Sequence, residues 1–186
     1  IITLSAYAQV EDMEAAKKAA FHAAKAMDNA LVSKHYDDYV SFNHPKVVEQ
    51  AEGGRSGLVI QIAKQITEIE ESGNIITAIW PHMPTLVIDT AGEWQCTLDQ
   101  FMEYRLPEGK VKAETTLIGI SPDKGRTWYF LDAAGRSLND IKTLFPTLSS
   151  QLVIKPQKDA VFTPDPKSTP ATKVTPAAKK TPATKK

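Results

Sequence analysis

Two ionisable residues sit at a spacing that suits proton transfer. His35 and Asp38 are three residues apart, so they share a face if the helix that precedes them continues. A carboxylate beside an imidazole fixes its tautomer and raises its basicity, as a general base requires. Tyr36, Tyr39 and Tyr104 would supply hydrogen-bond donors. The surrounding run, Ser33-Lys34-His35-Tyr36-Asp37-Asp38, is hydrophilic throughout, and it reads first as a solvated helix end. No motif in the chain demands catalysis. The four histidines (His22, His35, His44, His82) show no metal-ligand spacing. There is no glycine-rich phosphate loop and no nucleophile elbow. No metal and no cofactor is implied. The single cysteine, Cys96, excludes a disulfide framework and a cysteine metal site within the chain.

A second set of candidates belongs to binding. Along Glu93–Leu106 the residues alternate. Trp94, Cys96, Leu98, Gln100, Met102, Tyr104 and Leu106 form one face, Glu93, Gln95, Thr97, Asp99, Phe101, Glu103 and Arg105 the other. Side chains alternate faces in a strand, so one face is covered and the other wet, as in an antiparallel sheet. Gln100 is the lone polar residue on the covered face, and Tyr104 shares that face. Trp80 precedes His82, which stands between Pro81 and Pro84. A pocket needs a few polar groups on apolar walls. The expected lining is therefore Gln100, Tyr104, Trp80, His82 and Trp94, around a small apolar ligand.

The elements that must hold these residues follow from pattern. Leu106-Pro107-Glu108-Gly109 is a turn. Lys110–Ile120 is a second long strand, whose end (Leu117, Ile118, Gly119, Ile120) is apolar on both faces and so predicts cover on both. Ser121-Pro122-Asp123-Lys124-Gly125-Arg126-Thr127-Trp128 closes the meander. It resembles the Asp-box, S-x-D-x-G-x-T-W, of sialidase propellers. One copy in a chain this short implies a structural hairpin rather than sialidase chemistry.

Upstream, Glu11 to Tyr36 reads as a helix on Met13, Ala20, Ala24, Met27 and Leu31. Tyr36–Pro45 reads as extended, Lys46–Glu52 as a helical turn. Leu58, Ile62, Ile66 and Ile69 mark a second long helix ending at Gly73. Ile75–Trp80 and Thr85–Asp89 read as strands. Leu138–Phe145 reads as a short helix, and Gln151–Ile154 as a last extended piece. This order resembles the nuclear-transport-factor-2-like (SnoaL-like) superfamily. His44-Pro45-Lys46-Val47-Val48-Glu49, Gly53-Gly54, Thr116–Ser121 and Gly125–Phe130 are similar to a group of exported bacterial members. The resemblance covers about residues 10–155. It implies an α+β conical fold: N-terminal helices packed on a curved, mainly antiparallel sheet, with a pocket at the wide end. Superfamily members include isomerases, dehydratases and transport factors.

The ends carry the remaining expectations. Ile1–Gln9 looks like the end of a signal peptide, with Ala6 and Ala8 before a cleavage that leaves Gln9 first. Residues 1–8 are thus expected to be a remnant, 9–157 the conical domain, and 158–186 a disordered basic tail. Export to the periplasm or outside follows. No stretch approaches the ~20 apolar residues of a spanning helix. Formal net charge is zero, but residues from Thr163 onward hold six Lys and one Asp, leaving 16 Lys+Arg against 21 Asp+Glu in residues 1–162. An acidic domain carries a cationic tail. The tail repeats Thr-Pro-Ala in hexads from Thr169, Thr175 and Thr181, and resembles linker-histone tails. Lys173, Lys179, Lys180, Lys185 and Lys186 would meet an anionic polymer or surface. A nucleic-acid role through that tail is the competing expectation. Phe101, apolar on the wet face, is the candidate contact for a homodimer.

Overall fold

The structure is a computed structural model that describes residues 2–90 and 92–166, with side chains described from Asp12 onward. Four helices come first: α1 (Ile2–Val32), α2 (Tyr36–Ser41), α3 (Pro45–Gln50) and α4 (Gly54–Glu71). Strands β1 (Ile75–Pro81), β2 (Val87–Thr90), β3 (Glu93–Leu106), β4 (Gly109–Ser121) and β5 (Tyr129–Asp132) follow, then α5 (Leu138–Lys142) and β6 (Val161–Pro164). The architecture is α+β, helices packed on an open antiparallel sheet. The lysines expected to bind anions, from Lys173 on, lie outside the described residues.

The long hairpin β3–β4 is the spine of the sheet, in continuous register from Trp94↔Ser121 to Leu106↔Gly109. Each of its edges carries two short strands. On β3, β2 pairs with residues 93–96 and β1 with residues 100–105. On β4, β5 pairs with residues 117–120 and β6 with residues 109–112.

The Asp-box turn is built as its residues dictate. Asp123 Oδ1 accepts from Ser121 Oγ at 2.9 Å and from Thr127 N at 2.8 Å, and Gly125 N donates to Ser121 Oγ at 2.7 Å. Gly125 has φ +87°, and a Cβ there would meet the Trp94 ring at 3.2 Å. The turn is therefore a packed hairpin, as expected.

One core lies between α1 and the sheet's inner face. It joins Ala16, Ala20, Ala24 and Met27 to Trp94, Cys96, Leu98, Leu117, Trp128 and Phe130. A second lies behind the sheet, where α5 and the following loop cover Ile118, Ile120 and Leu131 with Ile141, Phe145, Leu148 and Leu152. The upper half of β4 is thus covered on both sides, as its apolar run predicts. Gln95, expected on a wet face, is fully buried by the same cover. Its amide donates to Thr147 O at 3.1 Å and accepts from Ser149 N at 2.8 Å, so its burial is satisfied.

Three elements differ from the reading of sequence alone. Residues 36–41 are helical, not extended. Lys34, at φ +61°, ends α1, and His35 N closes the turn on Ala30 O at 2.8 Å. The chain then restarts as α2. Gln151–Ile154 forms no strand. Val161–Pro164 does, beyond the boundary drawn at residue 157. Lys155 and Lys158 tie the connecting segment to Asp99 and Glu114, and Arg105 grips Asp165 with both guanidinium nitrogens. Ile2–Ala8, the expected signal remnant, forms the first turns of α1.

Candidate functional site

Along α1, Ala16, Ala20 and Ala24 stand four residues apart in one row toward the sheet, each 3% exposed or less. Their small side chains let the helix lie close. The next residue in that row is Asp28, 1% exposed. Across from it, Gln100 stands on the inner face of β3. Gln100 Nε2 donates to Asp28 Oδ1 at 2.5 Å. Asp28 Oδ2 is buried and has no hydrogen-bond partner among the described residues. Loss of water pushes the Asp28 carboxyl up to about 7, against which the Gln100 hydrogen bond pulls down.

The neighbours of this pair are polar and aromatic. Thr115 lies opposite Gln100, and its hydroxyl donates to Asp132 Oδ1 at 3.3 Å. Asp132, exposed at the end of β5, also accepts from Ala134 N at 2.8 Å. The half-buried Tyr39 reaches this region from α2. Burial raises its phenol, and the charges of Asp132 and Asp28 raise it further. Tyr104 is raised by burial first and then by Asp132. Five elements therefore bring Asp28, Tyr39, Gln100, Tyr104, Thr115 and Asp132 toward one side of the sheet. The set contains two carboxylates and no cation.

The expected pocket residues divide between places. Gln100 and Tyr104 do share the inner face. Trp94 also faces inward, but it stands six residues from Gln100, roughly 20 Å along the strand, packed under the Asp-box turn. Trp80 and His82 lie on the opposite face, which corrects their assignment to the pocket. Ile76 is opposite Tyr104 and Ala78 opposite Glu103, so Thr77 is an extra residue in β1. That bulge inverts the alternation. Ile79 turns in beside Met102, and Trp80 turns out beside Phe101. There the two rings stack at 5.8 Å, with His82 4.5 Å from Phe101 and Lys112 Nζ 5.0 and 4.6 Å from the two centroids.

His35 and Asp38 are both exposed, and no hydrogen bond joins their side chains among the described residues. They do not converge in a cavity. Their run is a solvated helix joint. His44 is a cap: its Nδ1 accepts from Lys46 N at 3.2 Å at the start of α3. Cys96 is fully buried, and burial pushes its thiol up to about 12. No group of three His, Cys, Asp or Glu among the described residues is placed to hold a metal. No described helix is long and apolar enough to cross a membrane. An open groove of about 580 Å³ runs between Arg136–Leu138 and Leu152–Gln157, and none of the expected pocket residues lines it.

No protein-family model matches the chain, and no curated protein is significantly similar to it. The case for a site therefore rests on geometry. Asp28 escaped notice in the sequence, although one signal marks it. The four-residue row Ala16–Ala20–Ala24 runs straight into it, and a carboxylate that continues a buried alanine row is out of place unless it has a partner.

Proposed function

We propose that this chain is an exported binding domain of the conical, nuclear-transport-factor-2-like kind, which seats a small molecule against the inner face of its sheet at Asp28 and Gln100. One observation carries the reading: Asp28 Oδ2 is a buried acceptor without a donor among the described residues. An unmet polar atom costs stability, and proteins retain such costs where a ligand meets them. Tyr39 and Tyr104 supply walls with polar tips, the composition of a ligand seat. Nuclear magnetic resonance of the full chain against a set of small fragments tests it. Shifts clustering on Asp28, Tyr39, Gln100 and Thr115 are expected. Fragments that shift only the outer face or the Arg136–Gln157 groove would refute the seat.

In the same reading, Trp80 and Phe101 form the outer face of a homodimer, which sedimentation at rising concentration tests. Lys173, Lys179, Lys180, Lys185 and Lys186 hold the domain near anionic polymers or surfaces. Binding to anionic vesicles that weakens steeply with salt supports this, and salt-independent binding opposes it.

A second reading is favoured by the Asp28 carboxyl at about 7. A group poised there exchanges protons efficiently at neutral pH. It fits an isomerase- or dehydratase-type enzyme in which Asp28, rather than His35 or Asp38, is the acid–base group and Gln100 positions it. Turnover that persists undiminished in Asp28→Asn would exclude it.

A further inference from the structure

We propose that the ligand seated at Asp28 is a small organic cation, a primary or secondary ammonium that donates to Asp28 Oδ2. The inference rests on the inner-face seat proposed above and names its ligand class.

The argument is charge complementarity. Oδ1 has its donor in Gln100, and Oδ2 has none among the described residues. Among the described residues, the groups that face Asp28 offer no positive charge. From α2 comes the Tyr39 phenol, which feels the charges of both Asp28 and Asp132, and from β3 comes Gln100, while the Tyr104 phenol stands farther along the same strand face and feels Asp132. β1 and β4 place Pro81 and Thr115 opposite or beside Gln100 in the pairing, and neither titrates. On α1 itself the nearest cation, Lys25, is exposed. The described part of the chain is acidic as well.

An anionic ligand would meet the Asp28 carboxylate itself, with Asp132 acting on the same phenol, Tyr39. A neutral donor would satisfy Oδ2 and leave the buried charge uncompensated. An ammonium does both. Asp132, exposed at the rim, draws cations toward the seat from solution.

The test uses the full chain, labelled with nitrogen-15, and three probes of one shape: benzylammonium chloride, benzyl alcohol and sodium benzoate. Each is titrated at pH 8 and pH 5.5. Benzylammonium should shift the Asp28, Tyr39 and Gln100 amides at pH 8 at least about tenfold more tightly than the other two. Its affinity should fall by about tenfold or more at pH 5.5, where Asp28 is neutral, and in Asp28→Asn. Asp132→Asn should weaken it by less. If the alcohol or the benzoate binds the inner face as tightly, or if Asp28→Asn leaves the ammonium's affinity unchanged, the cation class is wrong while the seat stands. If none of the three moves an inner-face resonance, the seat and the cation inference both fall.

Discussion

Replacing Asp28 with Asn should stabilise the protein above neutral pH while removing its candidate function. The magnitude follows from the carboxyl, raised in the folded state from 3.8 to about 7. The unfolded chain then releases this proton first as pH rises. Stability due to the neutral carboxyl is fully present below about 4 and is lost progressively up to about 7. At 1.36 kcal/mol per pKa unit, the full loss is about 4 kcal/mol. With Asp28 1% exposed, solvent screening barely reduces it. Asn cannot ionise, so Asp28→Asn escapes this loss at every pH. It carries its own constant cost, about 1–3 kcal/mol, because the new amide donor at the Oδ2 position finds no acceptor. That constant cancels when the stability difference between the two proteins is followed against pH. Between pH 5 and pH 8 the difference should move by about 2.5 kcal/mol in favour of Asp28→Asn. Urea unfolding at fixed ionic strength, read by fluorescence of the buried Trp94 and Trp128, measures it. Other titrating groups, His44 among them, drop out of the difference. A difference that stays flat within about 0.5 kcal/mol would mean that Asp28 is solvated or paired in the native protein, and the ligand argument would lose its foundation.

Three further outcomes follow from packing and polar contacts. Gly119→Ala should cost about 1–3 kcal/mol, since its Cβ would lie 2.9 Å from Cys96 Sγ and 3.3 Å from both Phe130 and Trp128. Adding Cys96→Ala should return part of that loss, and additive losses in the double mutant would show that the clash is elsewhere. Asp123→Ala should speed hydrogen exchange at the Thr127 amide by about tenfold or more, because that amide loses its acceptor. Unchanged protection would mean that the turn is held by Trp128 packing alone. Raising salt to about 1 M should increase exchange at Val161–Thr163 and leave β3 and the upper half of β4 protected, because ion pairs rather than apolar burial hold β6 in place. A salt-insensitive β6 would shift the credit to its backbone pairing with Gly109–Lys112.

The parts of this fold that can be read from sequence are those governed by a short period. β3 shows its two faces over fourteen residues, and Gln100 stands out because it breaks an otherwise apolar face. The Asp-box turn is legible because each residue has a local job. What escapes the sequence depends on distant partners. Residues 36–41 carry two tyrosines and a valine, which favour strands, yet docking between α1 and α4 makes them helical. β6 is four residues between prolines and charges, and only β4 makes it a strand. Asp28 is one of many charges on a long helix. Its meaning emerges only when the alanine row is seen to face Gln100.

Thr77 has a consequence for how this protein can change over time. The bulge absorbs this residue without passing it on, because Ala78, Ile79 and Trp80 keep Glu103, Met102 and Phe101 as partners with or without it. Loss of Thr77 would therefore close the ladder and leave Ile79 beside Met102 and Trp80 beside Phe101. The outer aromatic platform and the inner Asp28–Gln100 pair stay on their own faces under substitution in β1 and under that single-codon deletion alike. Each is free to acquire its own chemistry.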